Sequence, residues 1–344
     1  MINFKVGILG AGNIADTIAD TLNKLSGFEP YAVASRNLEK ADQLAKKYNI
    51  TKSYGSYEEL AEDPDVEMIY IATPHSHHAE HATMCLNAGK PVLVEKAFSY
   101  NAATAREVLK LAEEKKLFCG EAMWVRFFPI YKKLLEWINK GVIGNVVHVT
   151  CNLGFDLKYT ERLIKPDLAG GALLDLAIYP ITLIAMLFGN EPAAITSTCT
   201  KLNTGVDAQD CIHFNFRNGR TASAFATMLY QSDNTGKIYG ELGYIEIDNI
   251  LCPTAFRIYK DNKPFLEVNP NENQISGYEY EFMAARDAII TGKLECQEMT
   301  HKETLRIMSL MDMLRKSWQY KLPMEKDTPD EFIKNMKAGD VANV

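Results

Sequence analysis

Three short stretches hold residues whose types and spacing could do chemistry. The first is Gly10-Ala-Gly12-Asn-Ile-Ala15, directly after the apolar run 5–9. Glycines at this spacing let the chain turn tightly, so that backbone amides and the amino end of the next helix meet a pyrophosphate. Gly10, Gly12, Asn13 and Ile14 are therefore expected to bind a dinucleotide, and the strand before and helix after make the motif specific. The second stretch is Glu95-Lys96, which closes the apolar run 91–94. Ligands of open parallel sheets lie beyond the carboxyl ends of the strands, which puts Lys96 at the reacting centre. Glu95 is expected on the nicotinamide ribose or its carboxamide.

The third is Thr73-Pro74-His75-Ser76-His77-His78, with His81 close behind. Thr73, Pro74, His75 and His78 are expected to lie along the cofactor. Four histidines so close together would suit a metal, and His77 and His81 share a helix face, but only Glu80 joins them locally, so no metal is expected. At Ser35-Arg36, where a second strand ends, an NAD site usually places an acid for the ribose 2′-hydroxyl. None is there. Ser35 can donate a hydrogen bond and Arg36 can pair with a 2′-phosphate, so NADP is expected, with NAD less favoured.

These residues need a scaffold. Apolar runs at 5–9, 31–34, 68–72, 91–94 and 117–120 alternate with helix-period segments at 13–25, 38–46, 77–88 and 101–115. That pattern predicts an α/β, doubly wound parallel sheet over residues 1–122. Beyond it, over 123–344, runs at 146–153, 195–200, 211–217, 221–229, 237–239, 244–247 and 256–259 predict an α+β domain. Its large, mostly antiparallel sheet should be backed by an apolar helix at 171–188. Helices are also expected at 278–292 and 301–318, with a short one in the tail after 325. One face of such a sheet is often uncovered, which suggests a homodimer through it.

A length of 344 residues with 47% hydrophobic content is ample for two cores. A net charge of -7 offers no footprint for nucleic acid. The seven cysteines contain no Cys-x-x-Cys pair, which fits reduced thiols in a cytoplasmic protein. No run is expected to have the length of a membrane span, and the first apolar run lacks the pattern of a leader.

The motifs Gly10 to Ala15, Ala72 to His78, Glu95-Lys96-Ala97 and Gly170-Gly171-Ala172-Leu173-Leu174-Asp175-Leu176-Ala177-Ile178-Tyr179-Pro180 together resemble those of the Gfo/Idh/MocA oxidoreductases, over nearly the whole length. Ala97 departs from that family's Glu-Lys-Pro, and its absence should loosen the turn after Lys96 slightly. The stretch Glu121-Ala-Met-Trp124-Val-Arg126-Phe127-Phe128-Pro129 and Tyr179 are most similar to the dimeric dihydrodiol dehydrogenase branch. The resemblance implies a Rossmann domain, a dimer, and hydride transfer between NADP(H) and a hydroxyl or carbonyl compound.

Alcohol oxidation needs a group to take the hydroxyl proton while hydride leaves the same carbon. Lys96 and Tyr179 could do this as a pair, with the ammonium expected to lower the tyrosine pKa. Asp175, one helical turn before Tyr179, is expected to bind a substrate hydroxyl or orient Lys96. Trp124, Arg126 and Phe155 are expected to close over the nicotinamide, with Trp124 and Phe155 on the substrate; Phe127 and Phe128 read as hinge packing. The function expected is an oxidoreductase acting on a small polyol, aldose or trans-dihydrodiol. A reductase of ketoses, anhydrosugars or dicarbonyls would use the same residues. A non-catalytic NADP(H) sensor is the remaining reading, and a complete Lys96, Asp175 and Tyr179 set argues against it.

Overall fold

The computed structural model describes residues 3–189, 191–269 and 273–325. Six parallel strands form the first sheet: β1 (Phe4–Leu9), β2 (Phe28–Ala34), β3 (Lys52–Tyr54), β4 (Met68–Ile71), β5 (Val92–Glu95) and β6 (Cys119–Ala122). Their order is β3-β2-β1-β4-β5-β6, so the winding reverses between β1 and β4 and opens a crevice at their carboxyl ends. Connecting helices are α1 (Asn13–Lys24), α2 (Leu38–Tyr48), α3 (Tyr57–Glu62), α4 (His78–Asn87) and α5 (Ala102–Lys115). Val6, Ile8, Ile69, Ile71, Val92 and Val94 are fully buried, because helices cover the sheet and alternation with polar residues has no place in its central strands. Two elements lie outside the sequence reading. β3 has three half-buried residues, and α3 is held by a Ser56–Glu59 capping box rather than a long apolar stripe.

The second sheet contains β7 (Val146–Gly154), β8 (Ala194–Lys201), β9 (Asp207–Asn215), β10 (Thr221–Thr227), β11 (Gly236–Gly240), β12 (Gly243–Ile247), β13 (Phe256–Lys260) and β14 (Lys263–Val268). The order is β14-β13-β12-β11-β7-β10-β9-β8, and the single parallel pairing in this sheet among the described residues is β7 with β10. Val149, Cys151, Ala222, Ala224, Ile238, Ile245 and Ile258 are buried on one face. The alternate positions Thr150, Asn152, Ser223 and Lys237 are only part-covered. β14, with its Lys263 and Glu267, is an edge strand whose charges hid it from the apolar pattern.

The remaining helices are α6 (Pro129–Asn139), α7 (Glu161–Ile164), α8 (Ile178–Phe188), α9 (Glu279–Ile290) and α10 (His301–Ser317). α8 lies against β7 and β10, and α10 returns to pack on α5, tying the two sheets together. The helix expected at 171–188 comes in two pieces: a π-helical turn, Leu173–Ala177, runs into α8. Pro180 cannot donate to Leu176, and the turn before it is wide enough for Ile178 N–H to reach Leu173 O. Contrary to expectation, Pro166–Phe188 does have the length and apolarity of a membrane span; 89% of its most apolar window is buried, so it serves the core. The short helix expected after residue 325 lies outside the described residues.

Candidate active site

The glycine turn sits at the open end of the crevice. Gly10 has φ +119°, and a Cβ on it would lie 2.8 Å from the carbonyl oxygen of Ala72, so only glycine fits. Gly12 precedes α1, and a Cβ there would meet nothing within 4 Å. Amides in the first turn of α1, at Asn13 and Ile14, have no acceptor within the helix and face this open space. Asp16 would oppose an anion, but Lys47 and the Tyr48 hydroxyl draw its carboxylate aside at 2.6 and 3.0 Å. At the end of β2, Ser35 is buried and accepts Asn37 N–H on Oγ, while Arg36 is exposed. An open cradle of amides beside Ser35 and Arg36 fits a dinucleotide.

Lys96, at the end of β5, reaches across to the second domain. Its Nζ donates to Asp175 Oδ1 at 3.0 Å and Asp175 O at 2.9 Å, and stands 4.9 Å from the centre of the Tyr179 ring. Two N–H groups are used, which leaves a third for a substrate oxygen. Arg162 of α7 takes Asp175 as a fork, Nη1 to Oδ1 at 2.9 Å and Nη2 to Oδ2 at 3.2 Å. Burial alone would raise the Asp175 pKa, but Lys96, Arg162 and His75 together hold it well below the usual carboxylate range. Asp175 thus stays charged and is spent on orienting cations. It rides on the π-helical turn, and Tyr179 follows in the first turn of α8. The Lys96–Ala97 peptide is cis.

Tyr179 corrects one expectation. Its pKa is raised well above the ordinary value, chiefly by burial and then by Glu95 and Asp175, so the ammonium does not lower it. Lys96 is tied to Asp175 and meets the ring face rather than the hydroxyl. The Tyr179 hydroxyl instead accepts Trp124 Nε1–H at 3.2 Å. Its own hydrogen is left to donate. Trp124 stacks on Tyr278 with ring centres 4.2 Å apart and planes 5° from parallel, so it walls the Tyr179 hydroxyl. Phe127 and Phe128 are buried in the packing behind it.

The histidines divide. His75 is buried; its Nδ1 lies 3.1 Å from Ala169 O and its Nε2 3.9 Å from Asp175. Burial pushes its pKa down to about 3, so the ring is neutral and Nδ1–H donates to Ala169. His78 lies between Ala97 O at 2.8 Å and Thr73 O at 2.6 Å. Burial pushes its pKa down to about 4. A neutral imidazole has one N–H, so His78 donates to one of these carbonyls and packs beside the other, bracing the loop that the sequence laid along the cofactor. Thr73 Oγ1 is engaged by His81 Nδ1 at 3.0 Å, and Pro74 follows at the crevice rim.

The family models match in series. The description "Oxidoreductase family, NAD-binding Rossmann fold" fits residues 4–122, and "GFO/IDH/MocA C-terminal domain" fits 131–246. The chain belongs to the Gfo/Idh/MocA oxidoreductase family. It is 34% identical to trans-1,2-dihydrobenzene-1,2-diol dehydrogenase of Mus musculus over 327 residues, covering 93% of this chain and 98% of the mouse protein. Among solved structures, KijD10, a 3-ketoreductase from Actinomadura kijaniata in complex with NADP and TDP-benzene, superposes with a TM-score of 0.83 at 23% identity, covering 91% of this chain and 97% of that one. The aldose-aldose oxidoreductase of Caulobacter crescentus, complexed with glycerol, does so with 0.84 at 20% identity, covering 92% and 98%. It is an oxidoreductase of the kind that acts on CH–OH groups.

In this Gfo/Idh/MocA chain Arg126 donates to Glu298 O at 2.7 Å and Glu303 Oε2 at 3.1 Å, an engagement with α10 that the expectation of closing over the nicotinamide did not foresee. Phe155, just after β7, is half-buried, with its N–H bonded to Thr227 O. Arg162 is the residue the sequence reading missed. It sits on the single-turn helix α7, in a stretch with no motif, and nothing local distinguishes it from the charged neighbours Lys158, Glu161 and Lys165. Behind the site, Glu95 accepts the Tyr70 hydroxyl, and burial raises its pKa. Glu281 is fully buried with no partner among the described residues; burial and then Glu95 raise its pKa well above the ordinary value, so it is a neutral carboxyl.

Proposed function

We propose that this protein transfers hydride between NADP(H) and the carbonyl or hydroxyl carbon of a small polyol, aldose or trans-dihydrodiol. The observation that carries this is the Lys96–Asp175–Arg162 network beside the Tyr179 ring, at the end of β5 in a sheet whose β1 ends in an open amide cradle. Gly10, Gly12, Asn13 and Ile14 would hold the pyrophosphate, Ser35 and Arg36 the 2′-phosphate, and Thr73, Pro74 and Glu95 the nicotinamide half. The bound nicotinamide supplies or accepts the hydride.

Lys96 donates its free N–H to the substrate oxygen, held by Asp175. As a carbonyl gains hydride, Tyr179 gives its proton to the oxygen and is reprotonated from solvent. Oxidation runs the same path backwards and requires Tyr179 to lose its proton first. The raised pKa of Tyr179 therefore favours the reductive direction near neutral pH. A panel of trans-dihydrodiols, aldoses and inositols with NADP⁺, and of ketoses, anhydroketoses and dicarbonyls with NADPH, tests this by nicotinamide absorbance. Cofactor binding without turnover on either panel would favour the sensor reading. The same panels run with NAD(H) test the cofactor preference; a higher kcat/KM with NAD(H) would refute the role of Arg36.

We also propose a homodimer through the exposed face of the second sheet. His148, Tyr239, Tyr244 and Tyr259 form a stacked row across it, with Tyr244 and Tyr259 4.7 Å apart. Light scattering on the eluting protein reads the mass directly; a monomer would refute it. All seven thiols are free, which is consistent with a reducing, cytoplasmic setting.

A further inference from the structure

Away from Lys96 and Tyr179, one set of side chains has ligand chemistry that the proposed reaction does not use. We propose that His77, Glu80 and His81, at the start of α4, bind a divalent cation of the zinc class, with water completing its shell. A ring nitrogen from each histidine and a carboxylate oxygen of Glu80 lie within 4.8 Å of one another. His77 Nδ1 and Glu80 Oε2 are 3.5 Å apart. Two donors on a tetrahedral ion, each about 2.1 Å from it, stand about 3.4 Å apart, so this edge already has the size of the coordination shell. The rings of His77 and His81 face each other across one helical turn, with centres 5.6 Å apart and planes 23° from parallel. Side-chain shifts of about an ångström close the remaining edges.

The site has the support behind its ligands that metal sites need. His81 Nδ1 is bonded to Thr73 Oγ1 at 3.0 Å, and its ring stands edge-on to Tyr57 at 4.7 Å. With Nδ1–H donating to Thr73, His81 keeps its lone pair on Nε2, the state in which a ligating histidine is held by a partner on its other nitrogen. Around His81 stand its fellow ligand His77, the acids Glu80 and Glu58, and one fixed cation, Arg36, so the permanent charges are two acids to one base. Glu80 is exposed and His77 part-exposed, so an ion can enter from solvent. Two imidazoles with one carboxylate select a borderline ion such as Zn²⁺; Mg²⁺ and Ca²⁺ prefer oxygen throughout. Local sequence offered only Glu80 as a third ligand. The fold turns that carboxylate onto His77, which is why the expectation of no metal is revised here.

The test is calorimetric titration of Zn²⁺ into the full chain without cofactor, in chelator-free buffer, with Mg²⁺ in parallel. One Zn²⁺ per chain is expected at this site, with Mg²⁺ bound far more weakly. His77→Ala and Glu80→Gln should each weaken Zn²⁺ binding by about tenfold or more, and Thr73→Val, which leaves every ligand in place, by about 10–100-fold. These changes are at the surface or conservative, and unchanged melting curves without metal will confirm that the variants fold. His77→Ala and Glu80→Gln proteins that bind Zn²⁺ within about twofold of the parent would overturn the proposal and assign the ion elsewhere, for instance to the exposed Cys211. Mg²⁺ bound as tightly as Zn²⁺ would overturn it equally.

Discussion

Replacing Lys96 by methionine separates the chemistry of the site from its architecture. Methionine fills a similar volume but removes both bonds to Asp175, at 3.0 and 2.9 Å, and the free N–H aimed at substrate. Asp175 is not orphaned, because Arg162 still grips both of its oxygens at 2.9 and 3.2 Å. The loss in folding stability should therefore stay at about 1–3 kcal/mol, the worth of hydrogen bonds to a charged group, rather than the larger cost of an unpaired buried ion. Turnover should fall much further. A hydrogen-bond donor positioned on the oxygen where charge develops contributes about 10²–10³-fold, which is about 2.7–4 kcal/mol on the barrier. The assay pairs NADPH fluorescence titration, expected unchanged within about threefold, with steady-state turnover on the best substrate of the panel. Lys96→Arg is the control: it keeps a cation for Asp175 in a different shape and should rescue the melting temperature without rescuing turnover. A methionine variant within about tenfold of parental turnover would refute the reasoning, since a donor in that position contributes about 10²-fold or more.

Other consequences can be measured separately. Tyr179→Phe should lower carbonyl reduction by about 10²-fold or more, and in the parent the oxidation rate should climb with pH while reduction declines on the alkaline side; flat profiles in both directions would count against Tyr179 as the donor. Burial pushes the Glu121 carboxyl up to about 7, against bonds from Thr304 and Phe98 that favour its charged form. An acid raised in the folded state binds its proton longer than in the unfolded chain, so stability should fall by a few kcal/mol as pH rises from about 4.5 to 7. Glu121→Gln should flatten that slope in urea titrations. Asp207 Oδ2 accepts Leu173 N–H at 2.5 Å and so caps the helix that carries Asp175 and Tyr179. Asp207→Ala should cost about 1–2 kcal/mol in the same titrations, and Asp207→Asn, which keeps an acceptor, less.

The first sheet was legible because its strands are short, apolar and punctuated: Gly10 ends β1, Glu95-Lys96 ends β5, and each boundary carries a residue type with a physical meaning. The pairing of Lys96 with Asp175 was half visible, since one lies at a strand end and the other shares a helix face with Tyr179. What sequence could not show is anything set by packing between distant segments. Arg162 reaches Asp175 only because α7 folds over the crevice, and Arg126 finds Glu298 and Glu303 only because α10 returns to the first domain. The Tyr179 pKa went the other way for the same reason: proximity to an ammonium is a local guess, while burial is a property of the whole fold.

Lys96 stands on one sheet, and Asp175, Arg162 and Tyr179 are carried beside the other, so the site exists only while the two halves keep their mutual attitude. The joint is fastened by His75 to Ala169 O beside the site and, farther from the chemistry, by His301 Nε2 to Cys119 O at 2.8 Å. Loosening either of these clasps shifts an alignment rather than a core. Changes there can be silent in a melting curve and loud in an assay, and some inherited losses of activity in such two-part enzymes will map to hinges that touch neither substrate nor cofactor.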